Sequence, residues 1–499
     1  MDNTFIFNTP NDNSYIMNMD RSITGYLHPC LNSIINMVNQ GVDVKEYISN
    51  LSESREFSVE ELQYYYEKYL YLKLKGWFRS PKKKELDFAK LLTEDIEYTL
   101  ANLSQITFEI TDACNLKCKY CAYGDFYNDF DERHNSMLPI DKGKRLITYL
   151  SGFWNSDSNN AKTAHTYISF YGGEPLLNIT FIKEMVSFIK GLSINRRFSF
   201  TMTTNGILLD KYIDYLVENN FSLLISLDGN ESNNEYRITH SQKGSFDKVL
   251  GNISLIKEKY PEYFKNNVDF NSVLHNKNSV SDIYNFFKQN FDKIPSIGEL
   301  NNSGIKPEMK QKFESAYVNT RESLKRAKDR TKIEKDMFVK SLTYRRTAYF
   351  LHRFGGSTFT DYNELLFESP FWRKVATGTC LPFSKKMFVT VNGKMLACER
   401  IAHKYELGRI TDHAVQLDFK QIVDKYDEWY KILKKQCSNC YRQSSCMQCV
   451  FQIDKLENNP KCNGYTTKKD FVRYLGNNLY FLEEHSGDYV KLMKEVKIR

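Results

Sequence analysis

Between residues 104 and 300 the chain repeats one pattern: a short apolar run, then an amphipathic stretch of helical period, then another apolar run. The strand-like runs are Ile106 to Thr111, Thr166 to Tyr171, Phe198 to Thr203, Ser222 to Leu227, Val268 to Val273 and Ile297 to Leu300. Helical patterns over 140–152, 179–192, 210–219, 245–259 and 280–291 fill the spaces. Parallel strands need a crossover between them, usually a helix, so this alternation predicts βα units on a parallel sheet, an α/β fold. In parallel barrels the chemistry sits on loops at the carboxyl ends of the strands. The loop after each apolar run therefore carries the functional information.

The first run leads into Asp112-Ala-Cys114-Asn-Leu-Lys-Cys118-Lys-Tyr-Cys121, a C-x₃-C-x₂-C loop. Three thiolates this close suit an iron-sulfur cube and leave one of its four irons without a protein ligand. A zinc knuckle or three unrelated core cysteines are the alternatives. Zinc structural sites usually close with four ligands, however, and no His or fourth Cys lies near this triplet. The second run ends in Tyr171-Gly172-Gly173-Glu174-Pro175. Two glycines let the backbone approach a ligand closely, and the carboxylate beside them could hold an ammonium; a plain strand-to-helix turn is the alternative. Thr203-Thr-Asn205-Gly206 ends the third run, and Ser226-Leu-Asp228-Gly229 ends the fourth, followed by Tyr236-Arg237 and Gly244-Ser-Phe-Asp247.

With Tyr120 just before the third cysteine, the triplet resembles the signature of the radical S-adenosylmethionine (SAM) superfamily. The later segments resemble its subfamily of anaerobic sulfatase-maturing enzymes and peptide maturases. The resemblance implies a partial (β/α)₆ barrel, with Cys114, Cys118 and Cys121 holding a [4Fe-4S] cluster and Gly172, Gly173, Glu174 and Pro175 binding the amino group of SAM. It also implies that Asn205 and Ser226 lie near the SAM ribose or carboxylate and that Arg237, with its fixed fork of donors, neutralises the carboxylate. For Asn205 and Asp228 individually, capping and turn formation are equally good readings.

Residues 1–78 read as a small domain. Phe5-Ile-Phe7 and Tyr15-Ile-Met17 flank a turn-rich stretch and suggest a hairpin, followed by helical patterns over 22–39, 43–52 and 59–74. The last starts at a capping box, Ser58 to Glu61, and carries Leu62, Tyr65, Tyr66 and Tyr69 on one face, which reads as core. A hairpin with three helices suits a winged-helix-like shape and resembles the leader-recognition element of maturases acting on ribosomally made peptides. A DNA-binding winged helix or a structural cap is the alternative, but no helix here carries an Arg and Asn face for base reading. Residues 79–103 read as a linker with a basic run, and 301–378 as a polar bridge.

The block 379–465 holds Cys380, Cys398, Cys437, Cys440, Cys446, Cys449 and Cys462, and 466–499 reads as a C-terminal helix. Val391-Asn-Gly393-Lys suggests a hairpin turn before Cys398. The order resembles a SPASM domain, the auxiliary-cluster module of peptide-modifying radical SAM enzymes; a double zinc ribbon is the alternative. By that resemblance Cys380, Cys398 and Cys449 hold one auxiliary [4Fe-4S] cluster and Cys437, Cys440, Cys446 and Cys462 the other. The last pair is spaced x₂ where the family usually shows x₃, and no cysteine stands shortly after Cys380, so a fourth ligand to the first cluster is not legible. Cys30 stands apart and reads as a small buried residue.

A chain of 499 residues exceeds one core and predicts about two to four domains. The net charge of +8 is modest for this length and accommodates a peptide with acidic stretches as well as nucleic acid. No signal peptide or apolar run of membrane length is readable, so the expectation is a cytoplasmic protein with no membrane and no nucleic acid among its partners. The resemblance implies reductive cleavage of SAM to a 5′-deoxyadenosyl radical, fed by a flavodoxin or ferredoxin type of donor, and modification of a precursor peptide by a thioether or carbon-based crosslink. Formylglycine formation on a sulfatase is the alternative enzyme, and an iron-sulfur electron carrier or DNA-binding protein the alternative without catalysis. Asp269 and Glu299, near strand ends, are candidates for the residue that removes the substrate's proton.

Overall fold

The computed structural model describes residues 3–51, 56–79, 91–160, 165–194, 196–354, 377–453 and 455–495. The first strands, β1 (Thr4–Asn8), β2 (Ser14–Asn18) and β3 (Ile23–Tyr26), form an antiparallel sheet in that order. The helices Pro29–Asn39, Val44–Ser49 and Val59–Leu74 come next. Sequence periodicity placed a helix from residue 22, but Ile23–Tyr26 pairs with β2 instead and the helix starts at Pro29. Proline disfavours a helical residue before it and suits the first helical turn, and the His28 side chain accepts from the Cys30 N–H. The capping box forms in both directions: Glu61 N–H donates to Ser58 Oγ and Ser58 N–H to Glu61, each at 3.1 Å.

Strand alternation gives this small sheet two buried faces. Ile16 packs with Leu27, Cys30, Ile34, Leu62 and Tyr69 against its own helices. Phe5, Phe7 and Met17 pack the other way, onto Phe350, Phe354, Phe471 and Leu475. The unit thus has a core of its own and also shares one with later parts of the chain.

The region of alternating strands and helices contributes β4 (Gln105–Glu109), β5 (His165–Tyr171), β6 (Arg197–Thr204), β7 (Ser222–Ser226), β8 (Val268–Leu274) and β9 (Ser296–Glu299), all parallel and in sequence order. Ile106, Phe108, Ile168, Phe170 and Ile225 face the covering helices, where Leu146, Phe181, Ile182 and Ile253 complete the main core. The opposite parity, including Thr107, Glu109, Ser169, Thr201, Ser226 and Asn271, lines the concave face with polar groups. The expected linker contains a helix, Thr93–Ala101, whose Ile96 and Leu100 belong to this core; the basic run beyond Arg79 lies outside the described residues.

The cysteine-rich block continues the same sheet rather than starting a separate one. Its first strand, β10 (Met387–Val389), pairs in parallel with β4, and β11 (Lys394–Leu396), β12 (Gly408–Ile410) and β13 (Val415–Gln416) extend the sheet to ten strands. Gly393 makes the expected β10–β11 turn at φ +80°, and a Cβ there would stand 2.5 Å from the Ile410 carbonyl oxygen. The described part of the bridge is four helices, Lys310–Ala316, Thr320–Arg326, Arg330–Met337 and Leu342–Phe354. The expected single C-terminal helix is two, Lys468–Glu484 and Tyr489–Glu495. Among the described residues no helix is long and apolar enough to cross a membrane.

Candidate functional site

The three-cysteine loop leaves the carboxyl end of β4 and is fastened on two sides. On one side lies the double glycine. Gly173 N–H donates to the Thr111 carbonyl and Glu174 N–H to the Ala113 carbonyl, both at 2.8 Å. A Cβ on Gly172, which has φ +146°, would meet the Thr111 oxygen at 2.2 Å, and one on Gly173 the Ala113 oxygen at 2.0 Å. In the structure these glycines also make room for the backbone that leads into Cys114. On the other side, Lys117 N–H donates to the Ile238 carbonyl at 2.7 Å and Lys119 N–H to the Tyr236 carbonyl at 3.0 Å, lacing the loop to the segment that carries Arg237.

Glu174 is fully buried and accepts from Leu176 N–H, the Thr204 hydroxyl and Asn205 N–H at 3.1, 2.8 and 2.8 Å. Burial pushes its carboxyl up to about 7 against those three donors. It ties the end of β5 to the end of β6, and so sets Asn205, whose amide donates to Asn115 Oδ1 at 2.7 Å and reaches Cys114 Sγ at 3.7 Å. Pro175 opens a short 3₁₀ turn after the glutamate. Ser226, half-buried at the carboxyl end of β7, is in register with Asn271.

Arg237 is buried, and its Nε donates to Asp228 Oδ2 at 3.2 Å. The Tyr120 hydroxyl donates to the same carboxylate, Val273 N–H donates to Oδ1 at 3.0 Å, and His275 Nε2 lies 3.6 Å away. Burial alone would raise the Asp228 carboxyl, yet the Arg237 guanidinium and the surrounding donors hold it below the usual carboxylate range. Asp228 is thus the anchor of a buried ion pair under the cysteine loop, with Tyr120 linking that pair to the residues between Cys118 and Cys121. Arg237 is engaged there through its Nε, which positions it beside Cys118.

Two residues that sequence reasoning passed over complete the loop. Arg133 reaches Cys121 Sγ with Nη2 at 3.6 Å and stacks its guanidinium 4.2 Å from the Tyr123 ring centroid, while its Nε is buried with no hydrogen-bond partner. Glu109, 1% exposed, accepts from the Tyr123 hydroxyl and from Val391 N–H at 2.9 Å. Burial raises its carboxyl to about 7. The available signal was parity: Glu109 is a carboxylate in an apolar strand, on the side opposite Ile106 and Phe108. Its bond to Val391 joins the three-cysteine region to the β10–β11 turn of the C-terminal block.

In that block Cys437, Cys440, Cys446 and Cys462 lie within electrostatic reach of one another, and Cys449 lies beside Cys380. Val450 N–H donates to the Thr379 hydroxyl at 2.7 Å and closes the latter pair. Cys398 sits with Glu399, which Lys386 neutralises at 3.0 Å. Burial pushes the Cys118, Cys398 and Cys437 thiols up to about 12 and raises Cys114, Cys449 and Cys462. Such thiols give up their protons to a metal rather than to water, a donor set that fits iron-sulfur clusters. Among the described residues no three Cys, His, Asp or Glu side chains converge on one ion; a cube spreads its ligands over several irons. Asp269 and Glu299 stand apart from both groups: Asp269 is largely exposed and 3.8 Å from Lys340, and Glu299 accepts from the Tyr317 hydroxyl and Thr320 N–H. Cys30 is fully buried in the N-terminal core.

Comparison with known proteins matches residues 108–288 to the radical SAM superfamily model. The cysteine-type anaerobic sulfatase-maturating enzyme of Clostridium novyi (strain NT) is 31% identical over 211 residues, 40% of this chain and 53% of that enzyme. The serine-type enzyme of Bacteroides thetaiotaomicron is 30% identical over 183 residues, 35% of this chain and 41% of its own. The chain thus spans about half the length of these curated relatives. The solved structure of native anSMEcpe with bound AdoMet superimposes with a TM-score of 0.50 at 18% identity, covering 79% of this chain and 100% of that one, a likeness of fold. Strand order, the motifs at the strand ends and the match over residues 108–288 agree: this part of the chain is a radical SAM domain.

Proposed function

We propose that this chain is a radical SAM enzyme that modifies a ribosomally made precursor peptide. Cys114, Cys118 and Cys121 would hold the SAM-binding [4Fe-4S] cluster, with Gly172, Gly173, Glu174 and Pro175, Asn205, Ser226 and Arg237 around the SAM. Cys380, Cys398 and Cys449, and separately Cys437, Cys440, Cys446 and Cys462, would hold two auxiliary clusters. When bound, the cluster would supply the electron for reductive cleavage of SAM, and SAM would supply the hydrogen-abstracting group. The protein's own residues do the rest. The glycine turn and the Tyr236–Thr239 segment hold the cysteine loop from both sides, Glu174 sets Asn205, and the polar concave face of the sheet offers hydrogen bonds to a peptide. Covering helices exclude water from the other face of the strands.

The observation that carries the precursor-peptide reading is the N-terminal unit. It has its own core, presents β3 as a sheet edge, and is seated on the C-terminal helix of the same molecule. Formylglycine formation is the second reading, favoured by the two sulfatase-maturating relatives, and it has no need of such a unit. In a cytoplasmic setting a flavodoxin or ferredoxin would supply the electron. The test is anaerobic incubation of the reconstituted chain with SAM, reductant and the peptide encoded beside its gene. A product lighter by two hydrogens per crosslink is expected; formylglycine on a sulfatase peptide with no change in the precursor would favour the second reading.

A further inference from the structure

The described residues bring together a group of unsatisfied donors on the stretch between Cys440 and Cys446 and the helix that follows the last cysteine. Tyr474, on the helix Lys468–Glu484, packs its ring against Phe350 and Phe354 at 6.1 and 6.2 Å, and the Arg442 guanidinium lies 4.3 Å from its centroid. The Tyr474 hydroxyl, Arg442 Nε and Gln443 Nε2 are each buried with no hydrogen-bond partner. Two exposed guanidiniums, Arg346 on the helix Leu342–Phe354 and Arg321, lie within electrostatic range of these buried donors or of each other. Among the described residues no carboxylate forms an ion pair with Arg321, Arg346 or Arg442. The nearby Glu299 is already engaged by the Tyr317 hydroxyl at 2.6 Å and Thr320 N–H at 2.8 Å.

Such a group is costly as it stands. Buried donors without acceptors lose their hydration, and like charges repel; partial desolvation, together with Arg321 and Arg442, holds the Arg346 guanidinium below its usual value. An incoming anion relieves both costs, and guanidinium forks match a carboxylate in geometry. The place also matters. Glu299 ends β9, the outermost strand on the open side of the sheet, at the carboxyl end where the cysteine loop also lies. On the other side Tyr441, next to Arg442, meets Phe5 of the N-terminal sheet at 5.8 Å. The group therefore lies between the N-terminal unit and the mouth of the sheet.

We propose that Arg321, Arg346, Arg442, Gln443 and Tyr474 form a binding site for a carboxylate of the peptide substrate, either an acidic side chain or the free C-terminus. This rests on the peptide-modifying reading and adds a specificity to it: the segment between leader and modified residues carries negative charge where it crosses from the N-terminal unit to the sheet.

The test is fluorescence anisotropy on the full chain with three labelled decapeptides of Gly and Ser: one with two Glu and an amidated end, the same with Gln for Glu, and the Gln peptide with a free C-terminus. We expect the Glu peptide to bind at least tenfold more tightly than the amidated Gln peptide, with the gap closing as salt rises. Tight binding of the free-ended Gln peptide would assign the site to the terminus instead of a side chain. The R346Q/R442Q double variant should erase the preference, and the milder Tyr474→Phe should weaken it several-fold, each with the far-ultraviolet circular dichroism of the parent. Equal binding of all three peptides to the parent overturns the inference, as does a folded double variant that keeps the preference. Reductive SAM cleavage by the parent without peptide is scored separately: its absence would refute the radical SAM activity without touching the charge preference.

Discussion

At the scale of single residues, the glycine pair and Glu109 decide how the site is held. Gly173→Ala places a methyl 2.0 Å from the Ala113 carbonyl oxygen, so either β5 or the cysteine loop must shift. We expect a loss of about 3 kcal/mol or more in stability and a matching loss of iron at the three-cysteine site, measured by thermal unfolding and by iron content after anaerobic reconstitution. Glu109 gives a pH signature. Its carboxyl is raised from 4.5 to about 7, so the fold prefers it neutral. Its contribution is complete below about pH 4.5 and lost as pH climbs through about 7, a swing on the order of 3 kcal/mol. Glu109→Gln should therefore flatten the fall in unfolding temperature of the metal-free chain between those pH values. Parallel profiles for parent and variant would show that Glu109 does not titrate there.

At the scale of elements, the proposed ligand sets predict independent loading. Replacing Cys114, Cys118 and Cys121 together by Ala should abolish SAM cleavage yet keep about 8 of about 12 irons, since Cys380 to Cys462 are held by other loops. Zinc without charge-transfer absorbance in that variant would speak for zinc ribbons in the C-terminal block. The order of motifs along the strands was readable because period-2 and period-3.6 patterns alternate cleanly from 104 to 300. The third strand at Ile23–Tyr26 was not, because Ile23 and Thr24 fit a helical face as well as a strand, and only pairing with Tyr15–Asn18 decides between them. The Thr93–Ala101 helix was missed for a related reason: its Ile96 and Leu100 gain their meaning only from the barrel core they enter.

At the scale of the whole molecule, the N-terminal unit is both a domain and a part of the core. Phe5, Phe7 and Met17 cover Phe350, Phe354, Phe471 and Leu475, and Glu483 accepts from Thr9, Asn13 and Tyr15 at 2.8 to 3.1 Å. Deleting residues 1–78 should thus do more than remove the proposed leader binding. Each of the three lost apolar side chains contributes about 1.5–3 kcal/mol when buried, so the truncated chain should unfold at clearly lower temperature and associate through the exposed face. Glu483→Ala, which keeps the apolar contact, should leave most of that stability in place. If the truncated chain stays monomeric with an unchanged unfolding temperature, the packing of Phe5, Phe7 and Met17 is not a stabilising contact.

The sequence by itself determined the alternation of strands and helices, the loop on which the three cysteines stand, and the turn at Gly393, because each of these depends on neighbours a few residues away. Only the tertiary structure decided which groups meet across the chain. Asp228 and Arg237 pair under Tyr120, Glu109 reaches Val391 from 282 positions away, β10 joins β4 so that the C-terminal cysteines share the barrel's sheet, and Arg442 meets Tyr474 beside Arg346. The partner of a buried charge or donor has no local signature; it is selected by burial, and burial exists only once the chain has folded.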